Sequence, residues 1–379
     1  MPVVAHISGQ FFVRSEPWLY WYISRLRRVD SICLSLRPFV NTDLFPFPLS
    51  NCYVVSGRPC TLPWLCRRAL RRTTGRHILA ENILRRRNVR LIHAHFGPNG
   101  WWALPLKRAL GLPLLTTFYG YDVAPSLKVL CRNWSRDRQE LFDEGDLFLV
   151  LGPYMRQQLV RLGCPAKKVQ LLRIGIDLRQ TPFRPRRPRR DSKIVVIFAG
   201  RFVEKKGLIY ALQAVKGALD RGMNIEFRII GDGPLAGKLC EFIRKNKLEK
   251  QVRLLGFLDY EAYLSEMNKG DIFLAPSVTA ANGDTEGGAP TTVLEAQALG
   301  MPVISTYHAD TPNVVLPGES ALLVPERDSQ ALAAALAYLV DHPGTWEEMG
   351  RSGRGFVEKF HKIDNEVLAL EDKYLSLLG

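Results

Sequence analysis

The chain has 379 residues, 46% of them hydrophobic and 23% charged, which is the composition of an ordinary globular protein with room for two or three domains; disorder, collagen-like repeats and a disulfide scaffold are excluded. The net charge of +15 is unevenly spread: residues 1–190 carry 32 basic and 11 acidic side chains, a net +21, while 191–379 carry 20 and 26, a net −6. That asymmetry points to two domains, the first facing something anionic (membrane, nucleic acid or a phosphorylated substrate) unless its arginines only solvate it.

The N-terminus lacks the basic region, long apolar run and small-residue cleavage site of a signal peptide. No stretch approaches the ~18 apolar residues of a spanning helix. Seven cysteines, at 33, 52, 60, 66, 131, 164 and 240, are odd in number and irregular in spacing, without a CxxC. The expectation is a cytoplasmic chain with reduced thiols, any membrane contact being peripheral.

Along the chain, short β-branched runs alternate with helical segments. The first half places strands at Val3–Ile7, Ser31–Leu36, Val89–Ala94, Leu112–Phe118, Leu147–Leu151 and Val169–Ile174. The second repeats the pattern at Lys193–Ala199, Asn224–Ile230, Val252–Leu255, Ile272–Pro276, Pro302–Ser305 and Ala321–Val324. Such alternation predicts parallel sheets, hence an α/β protein of two doubly wound domains with ligands beyond the carboxyl ends of the strands, in a cleft between the domains. Residues 181–191, with three prolines and five arginines, read as the linker between an N-terminal domain at 1–180 and a C-terminal domain at 192–358. The remaining 359–379 reads as a C-terminal helix.

Three segments carry chemistry. Ala199–Gly207 (AGRFVEKKG) follows a strand and precedes a helix, so free backbone N–H groups and the cations Arg201 and Lys206 converge where a diphosphate could sit. Ile229–Pro234 (IIGDGP) is a second strand running into a glycine-rich turn. The third, 284–300, holds Glu286 in a Gly-Gly-Ala-Pro loop and Glu295 in the helix that Gly300 ends. Glu295 is either a hydroxyl acceptor for a ligand or the partner of Thr292 in a capping box.

These segments, with Gly256–Leu258 and GESALLV, occur in an order that resembles the retaining, nucleotide-sugar-dependent glycosyltransferases of the GT-B fold (glycosyl transferases group 1). The likeness is greatest to the branch that builds bacterial surface polysaccharides such as colanic acid and amylovoran. It covers nearly the whole chain, including RSEPWLY, HAHFG and LTTFYGYD in the first half. The resemblance implies two Rossmann-like domains with the C-terminal helix crossing back to the first. It also implies transfer of a hexose from a UDP- or GDP-linked donor to a polyprenyl-diphosphate-linked or other glycan at the inner face of the cytoplasmic membrane. No metal and no separate cofactor are implied, the cations at the start of the second domain neutralising the leaving diphosphate.

Carried onto this sequence, Arg201 and Lys206 hold that diphosphate, Glu286 binds donor-sugar hydroxyls and Glu295 the ribose. Gly200, Gly231, Gly287, Gly288 and Thr292 line the donor, and Phe257 and Leu258 meet the base. On the acceptor side stand Glu16, His95 and Asp122, with Tyr119 beside the reacting groups. Two departures stand out. Eight residues, not seven, separate Glu286 from Glu295, and Tyr119 occupies a position where many relatives have histidine.

His93 and His95 share one face of a strand, but a metal site lacks a third ligand, so core or supporting roles are expected. Aromatics beside arginines at Pro17–Arg28, Pro63–Arg72 and Leu84–Arg87 suit either a headgroup interface, through Trp18, Trp21 and Trp64, or helices packed on the sheet. Nucleic-acid binding finds no base-reading module. A nucleotide-sugar epimerase and a catalytically silent scaffold would suit the same two-domain architecture and compete with transfer.

Overall fold

The computed structural model describes residues 1–55, 76–123, 134–188 and 193–379, which divide into two compact units, Met1–Gly175 with Ile363–Gly379, and Ile176–Lys362. Cys60, Cys66, Cys131 and the Pro63–Arg72 segment with Trp64 lie outside the described residues; Cys33, Cys52, Cys164 and Cys240 are free thiols.

The first unit is a parallel sheet of β1 (Val3–Ser8), β2 (Asp30–Ser35), β3 (Cys52–Val54), β4 (Val89–His95), β5 (Leu114–Thr117), β6 (Leu147–Val150) and β7 (Val169–Leu171), in the order β3-β2-β1-β4-β5-β6-β7. Its central strands are buried along nearly their whole length, β1, β4, β5 and β6 among them, as in a parallel sheet covered on both faces. The helices are α1 (Pro17–Arg25), α2 (Ile78–Arg86), α3 (Gly97–Leu110), α4 (Trp134–Glu144), α5 (Pro153–Arg161) and the C-terminal helix.

The second unit orders β8 (Ile194–Ala199), β9 (Ile225–Ile230), β10 (Val252–Gly256), β11 (Ile272–Ala275), β12 (Val303–Thr306) and β13 (Ala321–Val324) as β10-β9-β8-β11-β12-β13. Around it lie α6 (Leu208–Asp220), α7 (Ala236–Lys245), α8 (Tyr260–Lys269), α9 (Thr291–Ala298), α10 (Ser329–Asp341) and α11 (Trp346–Phe360). Phe198, Phe227, Leu212, Leu336 and Trp346 fill one core layer. In both sheets the strand order reverses beside the first strand of the unit. The loops after β1 and β4, and those after β8 and β11, therefore diverge and leave a crevice at the carboxyl edge of each sheet.

Each predicted strand is present, and β3 is an addition. The segment expected to link the domains belongs to the second unit as far as it is described. Thr181 is fully buried, Arg354 Nη1 donates to its carbonyl at 2.6 Å, and Arg186 is 3% exposed and reaches the end of α8. The last helix, α12 (Ile363–Leu378), returns to the first unit, where the Glu371 carboxylate accepts the Arg28 N–H at 2.6 Å.

The headgroup reading of α1 is corrected. Trp18, Trp21 and Tyr22 are all at most 9% exposed and Trp18 lies against Tyr119, ring centroids 4.3 Å apart, so these aromatics are core. No described helix is long and apolar enough to cross a membrane.

Candidate functional site

In the second unit, three strand ends line up. Gly200 N–H donates to the Ile230 carbonyl at 3.0 Å and Gly231 N–H to the Gly256 carbonyl at 2.8 Å, knitting together the turns after β8, β9 and β10. Gly231 has φ +133, and a Cβ there would stand 2.0 Å from the Gly200 carbonyl oxygen. The IIGDGP turn is thus fitted to the back of the Gly200–Phe202 turn.

From β8 the chain makes a short 3-10 turn, Glu204–Lys206, that points two lysines at the long loop between β11 and α9, residues 276–290. Lys205 Nζ, 7% exposed, donates to Asp284 Oδ1 at 3.0 Å and the Thr285 carbonyl at 2.8 Å, and Glu204 accepts the Ala281 N–H. Lys206 Nζ donates to Glu286 Oε2 at 2.6 Å. The other end of the loop is tied down by Glu326, which accepts from Thr279 N–H at 2.8 Å, while His308 Nε2 accepts the Glu286 N–H at 3.0 Å. A loop of this length without regular structure is ordinarily mobile; here side chains from three segments, after β8, β12 and β13, hold it.

Glu286 is the most distinctive group. Its side chain is 7% exposed, Oε2 is paired with Lys206, and Oε1 is buried with no hydrogen-bond partner among the described residues. Burial alone would raise its carboxyl, but the Lys206 and Lys205 ammonium groups outweigh that and hold it below the usual carboxylate value. It is an ionised acceptor with one oxygen uncommitted, and Gly287 and Gly288 are buried beside it.

Glu295 is not a capping-box partner. The helix starts at Thr291 after Pro290, so Thr292 is already inside its first turn, and the Glu295 oxygens accept from Tyr260 Oη at 3.0 Å and Tyr263 Oη at 2.7 Å. Burial pushes its carboxyl up to about 7, the two tyrosine hydrogen bonds opposing. These tyrosines begin α8 directly after Phe257 and Leu258, of which Phe257 is 53% exposed. Arg201 is exposed and makes no ion pair among the described residues. The sequence-predicted donor residues therefore fall into a bonded group, Lys206 with Glu286, and a second group around Glu295. Lys205, His308, Glu326, Tyr260 and Tyr263 were not foreseen.

In the first unit, the histidines of the crevice form hydrogen-bond chains without formal charge. His6 of β1 lies in register beside His93 of β4, supplying the third histidine that sequence reading lacked. His6 Nδ1 and His95 Nε2 are 3.1 Å apart, His6 Nε2 meets Ser31 Oγ at 3.3 Å, and His95 Nδ1 meets Tyr119 Oη at 2.8 Å. His93 bridges Tyr374 Oη at 2.6 Å and Thr117 Oγ1 at 2.8 Å. All three rings are at most 1% exposed, and burial lowers their pKa, that of His6 to about 3, so they are neutral. Neutral imidazoles are what a metal would need, but here every ring nitrogen already has a protein partner, and the cluster is complete as a hydrogen-bond network.

Asp122 is fully buried and accepts N–H bonds from Gly97 at 2.9 Å, Tyr119 at 3.0 Å and Gly120 at 2.9 Å, tying the Tyr119 turn to the start of α3. Burial raises its carboxyl to about 6 against those bonds. Every Asp122 contact is to backbone of its own unit, which makes it a clamp. Burial, aided by Asp122 and Glu16 and opposed by a Thr117 hydrogen bond, raises the Tyr119 phenol well above its usual value. Tyr119, His95, His93, Trp18, Tyr22 and Leu370 line a small cavity.

Two family models match consecutive parts of the chain, "Glycosyltransferase Family 4" over residues 36–180 and "Glycosyl transferases group 1" over 180–356. The chain is 37% identical over 248 residues to the colanic acid biosynthesis glycosyltransferase WcaL of Escherichia coli (strain K12), covering 64% of this chain and 60% of WcaL. It is 35% identical over 247 residues to the amylovoran biosynthesis glycosyltransferase AmsK of Erwinia amylovora, covering 65% and 60%. The chain thus matches about three fifths of the length of these relatives. Among solved structures, Anabaena HepE in complex with UDP superposes with a TM-score of 0.80 at 15% identity, over 99% of this chain and all of HepE, which establishes the shared GT-B fold.

Proposed function

The chain belongs to the glycosyl transferases group 1 family, and from that premise we propose that it is a retaining glycosyltransferase of surface-polysaccharide synthesis. In this reading it moves a hexose-type sugar from a UDP- or GDP-linked donor to a lipid-linked or other glycan at the inner face of the cytoplasmic membrane. Glu286 carries the reading. An ionised carboxylate that keeps one buried oxygen unpaired beside two lysines suits a ligand offering hydroxyl groups next to a diphosphate.

In this scheme Arg201 and Lys206 take the diphosphate, with Gly200, Gly231 and the Thr292 end of α9 letting backbone approach it. Glu286, Gly287 and Gly288 seat the sugar, while Phe257, Leu258 and Glu295 receive the nucleoside. As the bond from sugar to phosphate breaks, charge develops on the phosphate, and preplaced cations lower that barrier without a metal. A phosphate oxygen on the face it leaves takes the proton of the acceptor hydroxyl, which preserves configuration at the anomeric carbon. On the acceptor side, Tyr119 works as a neutral hydrogen-bonding phenol, with His95 and Glu16 beside it and Asp122 fixing its turn.

That HepE structures hold UDP and UDP-glucose supports a uridine nucleotide donor as the first to try. For the membrane face, α1 offers no support, whereas the loop before β3 exposes Leu44 and Leu49 to 48% and 69%. The deciding experiment is a thermal-shift screen of UDP, GDP and their sugars, because a ligand bound only by the folded state raises its melting temperature. At least one nucleotide sugar is expected to do so, and a chain indifferent to all of them is not this enzyme.

A further inference from the structure

His308 is a histidine that the donor site does not yet use. The chain leaves β12 at Thr306 and turns sharply, with Ala309 at φ +46, a left-handed conformation that a non-glycine residue rarely adopts. That turn drives the His308 ring inward until it is 1% exposed. Its Nδ1 lies 2.6 Å from Glu326 Oε1 and its Nε2 3.0 Å from the Glu286 backbone nitrogen. Glu326 is ionised: burial raises its carboxyl, but the Thr279 N–H and His308 bonds prevail and hold it below the usual value. A carboxylate only accepts, so the proton sits on Nδ1 and Nε2 is left as the acceptor for Glu286 N–H.

We propose that His308, oriented by Glu326, is a positioning residue that sets the Glu286 carboxylate against the donor sugar. The inference rests on the reading of Glu286 as the sugar-binding group. Lys206 holds the Glu286 side chain and His308 holds its backbone N–H, so the carboxylate is fixed from both ends. Without the imidazole, the Thr285–Glu286 peptide would keep only the Lys205 bond to its carbonyl and could pivot about it, and displacements near 1 Å at a reacting group cost about 10²-fold in rate.

The test uses two substitutions of different reach. In His308→Gln the side-chain oxygen extends about as far as Nε2 and can still accept from Glu286 N–H; in His308→Asn it reaches only the Nδ1 position. Steady-state kinetics with UDP- and GDP-linked sugars are measured beside the affinity for UDP and GDP alone. The expected result is that His308→Asn loses about 10²-fold in kcat/KM while its affinity for the nucleotide is kept, and that His308→Gln recovers most of the loss. Three results overturn the proposal: an Asn variant as active as the parent, a Gln variant no better than Asn, or nucleotide affinity falling in step with turnover. A parent chain that binds no nucleotide and no nucleotide sugar removes the reading of the site itself, and this inference with it.

Discussion

The two crevices occupy the same topological position in their sheets and are built on opposite electrostatics. In the first unit, three neutral histidines, two tyrosines, a serine and a threonine satisfy one another without formal charge. In the second, an ammonium and a carboxylate are pressed together and one carboxylate oxygen is left over. A satisfied neutral network shapes and stiffens a surface, whereas an incompletely satisfied charged one is held ready for a polar ligand. The proposed function assigns the first side to an acceptor hydroxyl and the second to an activated phosphate, and this contrast is what that assignment needs.

Charge removal should break the comparison most severely. Lys206→Ala is expected to lower transfer by at least ~10²-fold and, by leaving the Glu286 carboxylate buried without its cation, to cost about 3–5 kcal/mol of stability in denaturant titration. Arg201→Ala should show a similar kinetic loss with little change in stability, since that side chain is exposed. Equal stability of the two variants would refute the buried-pair account. Glu286→Gln should weaken donor use more than it weakens the fold, read as donor kcat/KM beside the unfolding midpoint.

In the neutral crevice the expected effect is a slope. His6 is held to about pKa 3 by burial but titrates near its ordinary value of 6.5 once unfolded. The unfolded chain therefore binds more protons between those values, and His6 contributes a stability that is intact above pH 6.5 and shrinks as the pH falls toward 3. His6→Gln should flatten the pH dependence of the unfolding free energy in that window by about 1.4 kcal/mol per pH unit; an unchanged slope would mean the ring is protonated when folded. Glu295 runs the other way. Its carboxyl, raised to about 7, binds protons more tightly when folded, so it penalises the fold as pH rises from 4.5 to 7, and Glu295→Gln should remove that penalty. The smallest effect belongs to Leu49→Asp, which should reduce sedimentation with anionic liposomes and leave the melting temperature unchanged.

Much of this architecture is legible from local pattern, because a strand buried on both faces needs a run such as Val195–Phe198 and little else. What escaped is non-local. β3 is three residues long, and its pairing with β2 is not written in its own composition. His6 gains meaning only from its register with His93, on a strand more than eighty positions away. The Trp18 and Trp21 rings look the same in sequence whether they meet lipid or a neighbouring Tyr119. Thr292 and Glu295 have the spacing of a capping box, but the helix begins two residues earlier than such a box requires, and tyrosines from α8 claim the carboxylate. The loop between β11 and α9 is held by Lys205, Lys206, His308 and Glu326, partners 22 to 80 residues from the groups they grip.

The chain passes into its second unit at Ile176 and out again after Lys362, and those two residues are bridged side by side. The second unit is therefore an insertion within the first, whose closing piece, α12, leaves the ribosome only after nearly two hundred intervening residues. Until then the Arg27 and Arg28 amides lack Glu371, and His93 lacks the Tyr374 hydroxyl. During synthesis the inserted unit can fold as a continuous stretch while its host waits unfinished, so the half of the protein made first is the half completed last.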